Sequence, residues 1–390
     1  MCAGWQPMEI YVVRLNDNVD RIAAVHGVSV DALIYINQLV YPYELAVGQA
    51  LLLPRPDGER VAGERYRAWS LGYAYPFISP WVLEQSLPFL SGLHVFSYGF
   101  TEEGEIVQPV LDDGFMVQAA KGAGTLPVLT FTSIGADGRF HSSLIHTLLG
   151  SEELQQRVLL QLGIVMQEKG FRGIDIDFEY IPAEDRYRFA AFVELVSRVF
   201  GAFGYQVSVA LAPKTSADQP GLLYEGVDYG LLGRAADQVM LMTYEWGYTY
   251  GPPMAVAPIN MVRRVAEYAL TEIPREKIIL GIPNYGYDWP LPYVRGTTRA
   301  RTLGNVEAVR LAITHGAQIQ FDAQSQSPHF YYNQDGVRHE VWFEDVRSYR
   351  AKFELIKELG LKGPGFWQMM QLFRAGLLLM ADTFELTKNM

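Results

Sequence analysis

Residues Phe171–Tyr180 read FRGIDIDFEY, and the strict alternation of polar and apolar side chains in this stretch predicts a β-strand. Asp175, Asp177 and Glu179 fall on one face of that strand, with about 6–7 Å from each to the next. The other face carries only apolar side chains, which are Ile174, Ile176 and Phe178. Carboxylates at this spacing disfavour one another's ionisation, so at least one of the three should have a raised pKa.

Two interpretations of the acidic face are open: a solvated face of a half-exposed strand, or a functional site. Helical patterns precede and follow the strand, over Leu154–Lys169 and Ala183–Phe200. This βαβ context covers both faces of a strand. Polar residues then persist mainly inside a barrel or at its C-terminal mouth, where active sites lie. The context therefore favours the functional interpretation.

Repeated strand and helix patterns extend over residues 67–390 and predict an α/β fold, the (β/α)8 TIM barrel. The eight predicted strands are Trp69–Tyr75, His94–Tyr98, Pro127–Phe131, Gly173–Glu179, Gln206–Leu211, Gln238–Tyr244, Lys277–Pro283 and Gly365–Gln368.

The interval between the last two predicted strands is too long for one helix. Within it, Phe330–Tyr332 and Glu340–Phe343 flank an Asp-Gly turn signal and predict a hairpin. We expect an α+β insertion over about residues 290–362, forming one wall of a cleft.

Residues 8–55 predict a separate small β-α-α-β domain, with helices over Val19–His26 and Val30–Asn37. Asp17 or Asn18 is expected to cap the first helix and Gly27 to end it. Residues 56–66, rich in Pro and charge, predict a linker to the large domain.

Composition narrows the function classes. The chain has 390 residues, with 49% apolar, 19% charged and 13% aromatic residues, as in a well-packed globular protein. Its net charge of −11 argues against nucleic acid and anionic membranes as partners. Cys2 is the single cysteine, which excludes an intramolecular disulfide. Met1–Pro7 shows no signal-peptide core, so no signal peptide is expected.

The acidic strand resembles the strand-four signature of glycoside hydrolase family 18, Asp-Gly-x-Asp-x-Asp-x-Glu. Gly173 and the three acidic residues match it, and Arg172 stands where the family has its first, mainly structural, Asp. Two further segments resemble the family: LMTYEWG at Leu241–Gly247, with Glu245 in place of Asp, and GFWQ at Gly365–Gln368, which carries the strand-eight tryptophan.

Glu179 is last in the acidic row and so nearest the barrel mouth, which makes it the expected general acid, its pKa kept high by Asp177. The resemblance implies that the substrate's own 2-acetamido oxygen is the nucleophile. Asp177 would then hold the acetamido N–H with Asp175 behind it, and Tyr244 would orient the acetamido oxygen. Trp367 would form the floor of the sugar site. The configuration would be retained.

Further sugar contacts are expected at strand ends, from Met242, Glu245, Tyr98 and Tyr285. Neither a metal nor a cofactor is expected, because the histidines are scattered and no metal-binding pair or phosphate loop occurs.

Residues Ile10–Pro54 resemble a LysM domain, which binds glycans that contain N-acetylglucosamine. The likeness includes the Asp17 turn, Gly27-Val28-Ser29 and Gly48-Gln49. It implies a groove between the Asn16–Val19 turn and the Gln38–Tyr43 loop. The glycan contacts there would be Asp17, Asn18, Val19 and Tyr41.

A LysM domain joined to this catalytic domain resembles the cortical fragment-lytic enzymes of spore germination, which cut N-acetylglucosaminyl bonds in peptidoglycan. Such a protein is expected in the spore cortex or coat, and otherwise in the cytoplasm. The alternatives are a chitinase, an inactive barrel lectin for N-acetylglucosamine glycans, and a lyase or aldolase using Lys214 after strand five. The sequence leaves the oligomeric state open.

Overall fold

The structure, a computed structural model, describes residues 8–55 and 64–388. The predictions for Met1–Pro7 and Cys2 lie outside the described residues, as does most of the predicted linker over 56–66.

The N-terminal domain is an antiparallel pair of strands with two helices between them, β1 Ile10–Val12, α1 Val19–His26, α2 Val30–Asn37 and β2 Ala50–Leu52. Asn18 is the residue that caps α1, and its side chain accepts a hydrogen bond from the Arg21 N–H at 2.8 Å. Gly27 ends this helix at a φ of 65°, where a residue without a Cβ is favoured. The expected β-α-α-β domain therefore forms.

The elements of residues 64–283 are, in chain order, β3 Tyr66–Ala68, β4 Leu71–Ala74, α3 Pro80–Ser86, β5 Gly92–Phe100, β6 Ile106–Val107, α4 Gly114–Gly122, β7 Leu126–Thr132, α5 Ser142–Gly150, α6 Glu152–Lys169, β8 Gly173–Asp177, α7 Arg186–Gly201, β9 Gln206–Leu211, α8 Tyr229–Ala235, β10 Gln238–Leu241, α9 Ile259–Glu272 and β11 Ile278–Pro283. The later elements are β12 Gly286–Leu291, β13 Arg301–Leu303, α10 Asn305–Thr314, β14 Gln320–Asp322, β15 Ser327–Gln334, β16 Val337–Trp342, α11 Val346–Leu359, β17 Gly363–Trp367, α12 Arg374–Thr383 and β18 Phe384–Leu386. Across residues 8–55 and 64–388, none of these helices is both long and apolar enough to cross a membrane.

Eight parallel strands form a closed barrel in the order β4-β5-β7-β8-β9-β10-β11-β17, and β17 pairs with β4 to close it. The predicted TIM barrel is thus confirmed. Ile174 and Ile176 of β8 are buried in the apolar core, while Asp175 and Asp177 alternate with them and project into the barrel.

Two functional strands are shorter than predicted. Strand β8 ends at Asp177, where its pairing with β7 also ends, and β10 ends at Leu241. Glu179 and Tyr244 therefore lie just beyond the strands, at the mouth of the barrel, which is where loops carry functional side chains.

The insertion is a five-stranded antiparallel sheet in the order β13-β12-β16-β15-β14, with α10 packed beside it. The predicted hairpin forms from β15 and β16. Asp335 and Gly336 make its two-residue turn with φ values of 52° and 79°, the positive pair that a tight hairpin favours.

The N-terminal domain is docked on the barrel. Ile36 of α2 and Leu52 of β2 are buried in the same apolar core as the barrel residues. Arg55 forms an ion pair with Asp382 at 2.7 Å, and Asp382 also accepts a hydrogen bond from the Met8 N–H at 2.7 Å. Shared core and paired charges together hold the two domains in one arrangement.

Candidate active site

A cavity of about 590 Å³ opens at the C-terminal ends of the barrel strands. Six of the residues expected at the site line it, namely Asp177, Glu179, Met242, Tyr244, Glu245 and Trp367. The cavity lies at the barrel face where TIM-barrel enzymes carry out their chemistry. The acidic row of β8 and the aromatic residues of the later strands therefore meet in one place.

Asp175 is fully buried beneath the cavity and held by two hydroxyl groups. The Tyr73 hydroxyl donates to its Oδ2 at 2.8 Å and the Ser208 hydroxyl to its Oδ1 at 2.5 Å. Nδ1 of the buried His94 lies 3.5 Å from Oδ2. Hydrogen bonds to a carboxylate fix its orientation and stabilise its charge. Asp175 is thus a positioned support for the residue above it.

Asp177 is only 5% exposed, and its Oδ1 is buried with no hydrogen-bond partner among the described residues. Burial raises the pKa of this carboxyl well above its usual range, and the charges of Glu179 and Asp175 raise it further. An unpartnered buried oxygen is costly unless a ligand completes its hydrogen bonds. The arrangement suits an acceptor for an N–H of a bound substrate.

Glu179 is half-buried at the cavity wall. Burial is the main cause that raises the pKa of its carboxyl, followed by the negative charge of Glu245. We expected Asp177 to be the principal cause. Burial and the charge of Glu245, which lies in the loop after β10, both favour the protonated carboxyl of Glu179. Asp177 and Glu179 also repel one another's charge, so the expected effect of Asp177 is part of the same electrostatics.

Tyr244 and Trp367 supply the polar and apolar parts of the cavity. The Tyr244 hydroxyl has no hydrogen-bond partner among the described residues, and burial followed by the Asp177 charge raises its pKa well above its usual value. The Trp367 ring packs against Phe96 and Tyr73, with ring centres 4.9 Å and 5.6 Å away. This packing fixes the indole as a rigid apolar surface inside the cavity.

Glu245 sits in the left-handed region at a φ of 67° and is held by two tyrosines. The Tyr285 hydroxyl donates to its Oε1, and the Tyr287 hydroxyl lies 2.9 Å from the same oxygen. Burial raises the pKa of Glu245, and these two hydrogen bonds oppose that effect. Tyr285 therefore acts on Glu245 and does not itself line the cavity.

The insertion contributes fewer residues to the lining of the cavity than expected. No residue of the stretch 290–362 is among the described residues that line the cavity, so the expected cleft wall stays a prediction. The insertion sheet contacts the site through Tyr287 at the beginning of β12, which bonds Glu245, and through Trp289, whose Nε1 donates to the Gly251 backbone oxygen in the loop after β10. Its other face packs with α10 and with Ala46 of the N-terminal domain.

Two further residues lie away from the cavity. Tyr98 is fully buried, and its hydroxyl donates to Asp113 behind the barrel wall, so we remove it from the sugar contacts. Lys214 is 1% exposed, and its Nζ donates to the backbone oxygens of Ala217 and Val227 at 3.0 Å and 2.8 Å. A lysine held in this way is not presented to a carbonyl substrate in the cavity.

The four expected LysM contacts do not share one cavity. The Asp17 carboxylate accepts hydrogen bonds from the Tyr11 hydroxyl and the Arg14 N–H, and Asn18 caps α1. Val19 is 4% exposed, so its side chain belongs to the domain core. Tyr41 is 81% exposed and lines a separate groove of about 290 Å³ between this domain and α10.

Sequence reasoning missed the residues that support the acidic row and surround it. Ser208 is the register partner of Asp175 across β8 and β9, and Tyr73 is that of His94 across β4 and β5. Tyr75 and Phe96 line the cavity beside Trp367. Alternation within the predicted first and fifth strands could have placed Tyr73 and Ser208 on the inner face of the barrel. That their hydroxyls meet Asp175 depends on the strand register of the closed barrel, which the sequence does not give.

Comparison with known proteins agrees with this geometry. The family Glycosyl hydrolases family 18 matches residues 119–371, and the LysM domain family matches residues 11–54. The cortical fragment-lytic enzyme of Bacillus subtilis is 41% identical over 306 residues, covering 78% of this chain and 70% of that protein.

Solved structures are similar as well. The spore cortex-lytic enzyme SleL of Bacillus megaterium superposes with a TM-score of 0.81 at 34% identity, covering 98% of this chain and 87% of that one. A chitinase from Chromobacterium violaceum superposes with a TM-score of 0.74 at 26% identity, covering 80% and 99%. The chain belongs to glycosyl hydrolase family 18 and carries an N-terminal LysM domain.

Proposed function

We propose that this protein hydrolyses N-acetylglucosaminyl bonds in spore-cortex peptidoglycan fragments, by substrate-assisted catalysis with retention of configuration. The observation that carries the proposal is the position of Glu179, whose pKa is raised by burial, at the mouth of the cavity. Asp177 and Tyr244 line the same cavity, and neither Asp177 Oδ1 nor the Tyr244 hydroxyl has a hydrogen-bond partner among the described residues. These three groups match the donors and acceptors that an acetamido sugar and its leaving oxygen require.

In the proposed reaction, Glu179 donates its proton to the glycosidic oxygen as the bond to the anomeric carbon breaks. The acetamido oxygen of the same sugar attacks that carbon from the other face and closes a five-membered ring. Asp177 accepts the acetamido N–H, and Tyr244 donates to the acetamido oxygen. Glu179, now a carboxylate, then removes a proton from water as the water opens the ring. Two inversions at one carbon give net retention.

The charge of the cavity supports an uncharged sugar at its centre. The described residues that line the cavity include three carboxyl groups, those of Asp177, Glu179 and Glu245, and they include no Lys or Arg. A sugar bearing a carboxylate would face repulsion in such a site. N-acetylglucosamine is neutral, whereas N-acetylmuramic acid carries a lactyl carboxylate. We therefore assign the scissile bond to the N-acetylglucosamine side.

The proposal that the substrate comes from spore cortex is based on the names of the similar proteins. The SleL structure is named a spore cortex-lytic enzyme, and the Bacillus subtilis relative is named a cortical fragment-lytic enzyme; both are similar over most of this chain. The LysM domain supports a partner polysaccharide that contains N-acetylglucosamine. The corresponding place of action is the spore cortex.

The test compares the parent protein with Glu179→Gln and, as a matched control, Glu194→Gln, whose carboxyl lies exposed on α7. Soluble cortex fragments are digested, and the new reducing ends are identified by mass spectrometry. We expect N-acetylglucosamine at those ends, a loss of about 10²–10⁴ in kcat for Glu179→Gln, and parent-like activity for the control. Early NMR spectra should show the retained anomer. New muramic-acid ends, or an active Glu179→Gln variant, would contradict the proposal.

A chitinase is the second candidate, and the likeness to the Chromobacterium violaceum structure together with the neutral-sugar cavity favours it. The two functions are separated by the ratio of kcat/KM on cortex fragments to that on N-acetylglucosamine oligomers of equal length. A ratio above one supports the cortex assignment. A lectin would bind both substrates and turn over neither.

A further inference from the structure

We propose that an aromatic strip on the surface, formed by Phe77, Trp81 and Tyr35, binds the part of a glycan strand that extends beyond the cavity. The strip leads from the mouth of the barrel to helix α2 of the LysM domain, so the cavity and the LysM domain would hold one continuous strand. This inference takes its ligand class, a glycan rich in N-acetylglucosamine, from the proposed function.

The strip begins at the cavity. Tyr75 lines the cavity wall and packs within 6.0 Å of the Trp367 ring, measured between ring centres. Phe77 stacks on Tyr75 with ring centres 5.1 Å apart and planes inclined by 22°, yet it is 65% exposed. Phe77 is therefore an apolar ring that Tyr75 holds in place beside the cavity and that is open to solvent, as a contact for a ligand leaving the cavity requires.

Trp81 lies in the first turn of α3, four residues after Phe77 in the chain, and is 55% exposed. Beyond it, the Arg374 guanidinium lies 5.9 Å from the Trp81 ring centre and 4.0 Å from that of Tyr35, which is 57% exposed. These two distances place the rings of Trp81 and Tyr35 no more than about 10 Å apart. A disaccharide unit can bridge such a gap.

Arg374 joins the two domains under the strip. Its Nη1 donates to the Tyr35 backbone oxygen at 3.0 Å, and its backbone N–H donates to Gln38 Oε1 at 2.7 Å. The Arg374 guanidinium thus contacts both the Tyr35 and the Trp81 ring and helps to fix their positions. Rings fixed in this way lose little conformational entropy when a ligand binds, which favours binding through exposed aromatic faces.

A glycan is the occupant that the surface fits. At one end Phe77 stacks on Tyr75, which lines the proposed sugar cavity, and at the other end Tyr35 belongs to the LysM domain. Pyranose rings present flat C–H faces that stack on aromatic rings, and successive sugars present such faces at regular intervals. A peptide partner would gain its specificity from backbone hydrogen bonds or charged contacts, and the strip contributes only aromatic side chains.

The experiment measures kcat/KM for soluble cortex strands of at least eight sugars and, as the short substrate, for N-acetylglucosamine trimers. The variants are Trp81→Ala and Phe77→Ala, and Phe203→Ala is the control, since Phe203 is 77% exposed after α7. We expect the ratio of kcat/KM on the long strands to kcat/KM on the trimers to fall roughly tenfold for Trp81→Ala. For Phe203→Ala this ratio should remain at the parent value. Trp81→Phe, which keeps a ring, should restore most of the ratio.

A second readout separates this inference from the proposed catalysis. Trp81→Ala in the Glu179→Gln background is tested for retention of labelled cortex strands in a binding assay, which needs no turnover. Weaker retention supports the strip even if the parent protein cleaves neither substrate. An unchanged ratio together with unchanged retention overturns the inference. Equal losses on short and long substrates also overturn it, because they indicate a general effect on folding.

Discussion

Replacing Tyr244 by Phe removes one hydroxyl from the cavity and leaves the ring in place. This hydroxyl has no protein partner among the described residues, and its raised pKa keeps it protonated at any working pH. A hydrogen bond from it to the acetamido oxygen should contribute about 1–3 kcal/mol as that oxygen attacks. We therefore expect kcat to fall about 5- to 150-fold, with little change in the stability of the folded protein.

Tyr73→Phe is the matched comparison, because it removes a hydroxyl of the same kind in a different setting. The Tyr73 hydroxyl donates to the fully buried Asp175 at 2.8 Å. Losing it leaves a buried carboxylate with one donor fewer, at a cost of about 1.5–3 kcal/mol in the free energy of unfolding. This variant should lose turnover and also melt at a lower temperature, by a few degrees.

The assay measures kcat and KM on one defined N-acetylglucosaminyl substrate, together with Tm from thermal unfolding, for the parent and both variants. The reasoning is refuted if Tyr244→Phe changes kcat by less than about twofold. It is also refuted if Tyr244→Phe lowers Tm as much as Tyr73→Phe does, because the Tyr244 hydroxyl would then have a structural role.

Two pH effects follow from the raised carboxyl pKa values. Glu179 acts as a proton donor, so kcat/KM falls as pH rises through the pKa of its carboxyl. The charge of Glu245 raises that pKa. The variant Glu245→Gln should therefore move the alkaline limb of the kcat/KM profile to lower pH. An alkaline limb at the parent position would show that Glu245 does not act on Glu179. A raised pKa in the folded state also means that the proton of Glu179 stabilises the fold at low pH, and that this stabilisation is lost as pH rises through the folded pKa. Glu179→Gln should therefore have a higher Tm than the parent at neutral pH, with the difference vanishing towards about pH 4; a constant difference at all pH values would contradict this.

The barrel and the centre of the site could be read from local patterns. Alternation in the stretch around Asp175 and Asp177 reports which side chains share a face, because the side-chain period of a strand is two. The Asp-Gly turn of the insertion hairpin and the caps of α1 are likewise local, since each depends on the φ preference or hydrogen bonding of one or two residues.

Local patterns failed where a side chain's environment comes from distant segments. Tyr98 stands on a barrel strand as Tyr73 does, and sequence position alone made it a sugar contact; the structure directs its hydroxyl to Asp113. The raised pKa of Glu179 was attributed to its neighbour Asp177 alone, whereas burial and the charge of Glu245, in the loop after β10, also raise it. The packing of the insertion against the LysM domain, through Ala46 and a hydrogen bond from the Ile319 N–H to the Val47 backbone oxygen, was not expected from the sequence either.

The amino-acid sequence by itself determined the fold class, the acidic row of β8 and the residue that stands last in it, because these depend on periodicity along one strand. Only the tertiary structure decided which hydroxyls hold Asp175, that a buried oxygen of Asp177 has no partner among the described residues, and how the LysM domain docks on the barrel. The physical reason is that strand register and domain docking join residues far apart in the chain, and no spacing along the sequence encodes those distances.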